Sequence, residues 1–144
     1  MSGADDDFTG AKLLLVQDRQ VLTYLRDDKP GLPWAGKWDL PGGGREAGET
    51  PEACVLRELH EEFGLHLPPR RLLWARAFPS IMDAARTGWF FAGRLKPAEI
   101  AAICFGDEGQ FWRMMSLDDW LGHPDAVTPL QTNSRTAMQD LGWL

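Results

Sequence analysis

Glu58, Glu61 and Glu62 put three carboxylates within five consecutive positions, shortly after the glycine run Gly42-Gly43-Gly44. Like charges that close repel one another and weaken a helix. Hard oxygen donors gathered on one rigid surface do, however, suit Mg²⁺ or Mn²⁺, and a bound cation relieves the repulsion. Helical residues turn by about 100° each, so offsets of three and four are neighbours. The three acids therefore fall within one arc of a helix over residues 49–64. Val55, Leu56, Leu59 and Phe63 lie on its other side and are expected to face the core. Arg57 sits among the acids, placed either to hold one of them or to reach back to the preceding turn. That glycine turn has no Cβ to keep its backbone away from a phosphate or a metal. Without its surroundings, an acidic triplet reads as a solvated helix face.

The surroundings are more specific. Gly43 is followed after five residues by Glu49 and after seven more by Arg57-Glu58-Leu59. One residue later come Glu61-Glu62, and one after that Gly64-Leu65. Every fixed position of G-x5-E-x7-R-E-U-x-E-E-x-G-U, with U aliphatic, is filled, and the chain resembles the Nudix hydrolase family. The resemblance implies an α/β fold, an α/β/α sandwich with a mixed β-sheet between helices. It also implies a reaction: hydrolysis, at the pyrophosphate, of a nucleoside diphosphate linked to another group, with Mg²⁺ or alternatively Mn²⁺ as cofactor. Carried over residue by residue, it makes Glu58, Glu61 and Glu62 metal ligands and the Gly42 carbonyl a further metal contact. Gly43 lies against the substrate, Glu49 is another ligand or a partner of the ligands, and Arg57 orients the acids. Electrostatics point the same way. A polyphosphate is too anionic to approach a carboxylate cluster unless cations stand between them, and metal also neutralises charge developing on phosphate oxygens.

The similarity to the MutT type of Nudix enzyme extends past this box. "GDEGQ", Gly106 to Gln110, resembles that type's acidic loop, which makes Glu108 a metal ligand or the general base; Glu58 is the alternative base. Arg26, at the end of a strand, is a candidate for bidentate phosphate binding. Asn133 stands near the position of a purine-reading asparagine in MutT-type enzymes, and reads equally as an N-cap. Seven tryptophans is a high count, and core packing is the default for them. Trp34, on the loop before the glycine turn, is the candidate for stacking on a base. Cys54 reads as a small apolar filler, and His60 points away from the acids.

These residues need elements to hold them. "AKLLLVQ" (Ala11 to Gln17) reads as a buried strand, Asp18-Arg19 as a turn, and "VLTYL" as the hairpin partner. "RDDKPGLPWAGKW" is a loop, and "WDLP" a short extended stretch into the glycines. Thr50 as N-cap, Pro51 at the first position and Gly64 as the stop frame the acidic helix. "RLLWARAF", "GWFFAGRL" and "GQFWRMM" read as strands, "PAEIAA" as a helical turn, "SLDDWL" as a helix capped by Ser116, and about Thr132 to Leu141 as the last helix.

The whole chain sets limits. Its 144 residues suit one domain, taken as 9–144 after an acidic, disordered start at 1–8. A formal net charge of -6 argues against binding a nucleic-acid polymer and leaves a nucleotide-type small molecule as the expected partner. Two cysteines imply no disulfide framework and, with no signal-like or membrane-length apolar run, suggest a cytoplasmic protein. Monomer and homodimer both remain open. The expected activity is that of a MutT-like nucleoside triphosphate pyrophosphohydrolase, with 8-oxo-dGTP as a candidate substrate. An ADP-ribose or nucleotide-sugar pyrophosphatase is the alternative, since Pro79 falls one residue short of that group's register. The tyrosine of dinucleoside polyphosphate enzymes is missing, because Tyr24 precedes the box. A non-catalytic nucleotide sensor is a third reading, disfavoured by the intact box.

Overall fold

The structure is a computed structural model that describes residues 7–144. Its strands are β1 (Phe8–Gln17), β2 (Gln20–Leu25), β3 (Trp38–Asp39), β4 (Gly42–Gly44), β5 (Trp74–Pro79), β6 (Thr87–Arg94) and β7 (Phe111–Ser116). Its helices are α1 (Pro51–Phe63), α2 (Pro97–Ala101), α3 (Leu117–Gly122) and α4 (Thr128–Leu141), with a 3₁₀ turn at Pro69–Arg71. The strands form one mixed sheet in the order β3-β2-β1-β6-β5, with β4 on β1 and β7 on β2. β1 and β6 run parallel; the other strand pairs are antiparallel.

β1 is buried on both faces, which is why its sequence is a continuous apolar run rather than an alternating one. Leu13 and Leu15 pack with Val55, Leu59 and Phe63 of α1 on one side of the sheet. Leu14 and Val16 pack with Trp120 of α3 and Leu130, Ala137 and Met138 of α4 on the other. Helices on both faces of a mixed sheet make the expected α/β/α sandwich.

The acidic helix has the expected frame. Thr50 accepts a hydrogen bond from the Ala53 N–H, Pro51 starts the helix, and Gly64 ends it in the left-handed conformation at φ 69°. Several boundaries differ from the sequence reading: β5 begins at Trp74 rather than Arg71, behind the 3₁₀ turn, and β7 at Phe111 rather than Gly109. Phe8, expected in a disordered start, is the buried first residue of β1, with the Arg45 guanidinium over its ring; residues 1–6 lie outside the described part. The last helix begins at Thr128 rather than Thr132, because Pro129 suits its first turn. Asn133 is therefore inside α4 and cannot be its N-cap.

Candidate active site

A cleft of about 420 Å³ opens between the glycine strand β4 and the β5–β6 turn. One wall is polar: Glu58 and Glu62 of α1, Gly42 and Gly43 of β4, Arg26 at the end of β2, and Glu108. The other wall, Phe78, Ile81, Phe90 and Leu130, belongs to the core on the α4 side, with the buried side chain of Asn133 among them. Seven of the expected residues thus meet here: Arg26, Gly42, Gly43, Glu58, Glu62, Glu108 and Asn133.

The three box acids do not share one exposed face. Glu62 is buried under the glycine turn, where it accepts a hydrogen bond from the Gly42 N–H at 2.8 Å. Glu58 is half-buried beside Gly43, where a Cβ would stand 2.6 Å from its carboxyl carbon; only glycine lets it come that close. Glu61 stays at the surface and does not line the cleft. The step of about 100° between positions 61 and 62 sends one carboxyl out and the other in.

Arg57 takes both roles that its position allowed. Its guanidinium grips Glu49 through two bonds, of 2.7 and 3.1 Å, and donates to Glu58 at 2.9 Å and to Glu61 at 3.0 Å. It also reaches back to the Gly44 carbonyl at 2.9 Å. Hydrogen bonding to Arg57 pulls the Glu49 carboxyl below its usual range and raises Arg57 in turn. Burial works the other way on the cleft acids: it raises Glu58 against the pull of Arg57, and pushes Glu62 up to about 8 despite nearby Lys12. The buried Cys54 thiol is pushed up to about 12, first by burial and then by Glu49, as suits a filler. His60 lies exposed and stacked on His66.

Two expected contacts are engaged elsewhere. Arg26 donates to buried Asp39 at 2.9 Å and to the Pro33 carbonyl at 3.0 Å, so any phosphate must share it. Trp34 does not line the cleft. Its ring packs against the α4-side core and its indole N–H donates to the Ile81 carbonyl at 3.1 Å, so the stacking role expected of it is not available in this arrangement.

Sequence reasoning overlooked Lys12 and Asp39. Lys12 Nζ donates to Asp39 at 2.9 Å and to the Leu40 and Gly42 carbonyls at 3.2 Å each, while Tyr24 donates its hydroxyl to the same Asp39 oxygen at 3.1 Å. A buried ion pair needs such extra partners to offset desolvation. The available signal was a lysine inside an otherwise apolar strand.

The Glu108 loop is docked rather than loose. The Gly106 N–H donates to the Glu62 carbonyl at the end of α1, and the Gln110 N–H to the Leu25 carbonyl. Gly109, at φ 89°, donates to Asp27. Asp107 and Glu108 project from this frame and are exposed.

Residues 6–140 match the family described as NUDIX domain. The chain belongs to that family. Relatives similar to this NUDIX chain include an RNA pyrophosphohydrolase of Tolumonas auensis, 34% identical over 58% of this chain and 53% of that protein. Another is the 8-oxo-dGTP diphosphatase of Escherichia coli, 39% identical over 58% of this chain and 60% of that protein. The matches thus span a little over half the length of these curated relatives. Among solved structures, a Caenorhabditis elegans Ap4A hydrolase superposes with a TM-score of 0.71 at 17% identity, over 94% of this chain and 99% of that one. That likeness concerns the fold.

NUDIX hydrolases use divalent metal ions, and the donors present suit one in kind. Glu58, Glu62 and the Gly42 carbonyl are hard oxygens on one cleft. Among the described residues no three Asp, Glu, His or Cys side chains are arranged to hold an ion as they stand, and Arg57 engages Glu58 and Glu61. Glu62, kept protonated by burial, is the carboxyl that a cation would ionise. Among the described residues, no helix is long and apolar enough to cross a membrane.

Proposed function

We propose that this chain is a cytoplasmic, metal-dependent pyrophosphohydrolase acting on a nucleoside triphosphate of the purine type, in the manner of MutT-like enzymes. The observation that carries this reading is the two-walled cleft, with carboxylates and glycine backbone on one wall and aromatic and aliphatic side chains around a buried amide on the other. The polar wall takes the phosphates. The apolar wall takes the base, and Asn133 offers it both a donor and acceptor edge.

Glu58, Glu62 and the Gly42 carbonyl would hold Mg²⁺ or Mn²⁺, joined by Glu61 once Arg57 releases it. When bound, the metal supplies neutralisation of phosphate charge and a lowered pKa for water. Arg57 keeps Glu49 and Glu58 in place. Glu58 or Glu108 removes the proton from the attacking water, and Arg26 steadies the phosphate chain.

Relatives named RNA pyrophosphohydrolase support a second reading, in which the triphosphate is the 5′ end of an RNA. A turnover panel separates the two. We expect pyrophosphate or phosphate release from free purine triphosphates, absent with chelator and restored by Mg²⁺ or Mn²⁺. Turnover confined to 5′-triphosphorylated RNA selects the second reading. Undiminished turnover in metal-free buffer rejects both.

A further inference from the structure

We infer that Trp34 is a positioning residue for substrate specificity: its indole latches the β5–β6 turn and so sets the apolar wall against which the base lies. This rests on the reading of that wall as the base site. The turn Ser80-Ile81-Met82 lines the cleft, and Met82 is 54% exposed there. It is fastened from two directions. On the β1 side, Thr9 donates its hydroxyl to the Ser80 hydroxyl at 2.6 Å. On the side of the β2–β3 loop, the Trp34 N–H donates to the Ile81 carbonyl at 3.1 Å, across 47 residues of sequence.

The conformation of Trp34 makes this contact unusual. It sits at φ 55°, a region that bulky residues avoid. The same loop uses glycine at its other left-handed positions, Gly31 and Gly36. A glycine at 34 would relieve the backbone but reach nothing. The surroundings hold the residue in place: the Lys37 N–H donates to the Trp34 carbonyl, Gly36 N–H to the Asp27 carbonyl, and Arg26 Nε to the Pro33 carbonyl. Strain kept in this way concentrates at ligand clamps. Arg26, on the phosphate side, and Trp34, on the base side, thus brace the same loop. A loop anchored at both walls fixes the distance between them, and that distance decides which base-bearing substrate fits.

The test uses Trp34→Phe, which keeps an aromatic ring and removes the N–H. A second variant, site-specific replacement of Trp34 by benzothienylalanine, keeps the full ring outline and guards against loss of packing. Two measurements are made on each: hydrogen exchange of the amides in residues 80–86, and Mg²⁺-supported binding of an α,β-methylene purine nucleoside triphosphate and of inorganic tripolyphosphate. We expect faster exchange in the turn, nucleotide binding weakened by roughly three- to tenfold, the range of one net hydrogen bond, and tripolyphosphate binding within about twofold of wild type. Unchanged exchange, or equal weakening of both ligands, overturns the latch. A wild-type protein that binds tripolyphosphate as well as the nucleotide overturns the base-site reading, and this inference with it.

Discussion

Burial beneath the glycine turn keeps the Glu62 carboxyl protonated up to about 8, and that has two measurable consequences. An unfolded glutamate ionises at about 4.3, so between there and about 8 the folded state holds a proton that the unfolded state has lost. In the metal-free protein this contribution is therefore largest at low pH and fades as pH rises through that window. Chemical denaturation across pH should show the decline in wild type and a flatter profile in Glu62→Gln. Glu49 has the opposite sign: its depressed carboxyl contributes stability at neutral pH that is lost as pH falls through its folded value. With Glu62 as the proposed metal ligand, a cation displaces its proton, and metal affinity should rise with pH up to about 8, read as proton release in calorimetry. Glu62→Gln should also lower kcat by at least about 10²-fold with the fold intact. Near wild-type turnover at saturating metal would reduce Glu62 to a packing residue.

At the scale of elements, the helix α1 and the Glu108 loop work as one unit. Gly106 presses on the end of α1, where a Cβ would stand 2.6 Å from the Glu61 carbonyl oxygen. Gly106→Ala should therefore lift the loop from the helix, destabilise by about 1–3 kcal/mol, and lower kcat through Glu108. Melting temperature and steady-state kinetics check both. Glu108→Gln leaves that docking alone, so it should lower kcat more than it raises KM and alter the rise of kcat with pH if Glu108 is the base. A normal pH profile returns the base role to Glu58. The N-cap is a simpler element: Thr50→Ala should cost about 1 kcal/mol, visible in thermal unfolding.

Over the whole molecule, metal binding at the acidic cleft as proposed would couple stability to metal. A ligand that binds the folded state alone raises the melting temperature with its concentration. Thermal scans with Mg²⁺ or Mn²⁺ should rise with metal and fall back with chelator in wild type. Glu58→Gln/Glu62→Gln should flatten that response, and its persistence would place the metal elsewhere.

Features whose signals are local were legible in the chain alone. The acidic helix follows from Thr50, Pro51 and Gly64, because caps and stops act within a few residues. β1 follows from its apolar run, and the family from the spacing of Gly43, Glu49, Arg57, Glu58, Glu61, Glu62 and Gly64. Which box acid is buried and which is exposed came from long-range packing. That depends on what packs over α1, namely the glycine strand above Glu62 and the docked loop at its end. Such packing also decided the partners of Arg26, Lys12 and Asp39, joined across 13 and 27 residues of chain. Trp34 is the plainest case. Its place on a loop suggested a ring free to stack, but the β5–β6 turn, 47 residues away, supplies the Ile81 carbonyl that claims its N–H. Pairings of that reach are set by sheet order and loop closure, which no local pattern of residues encodes.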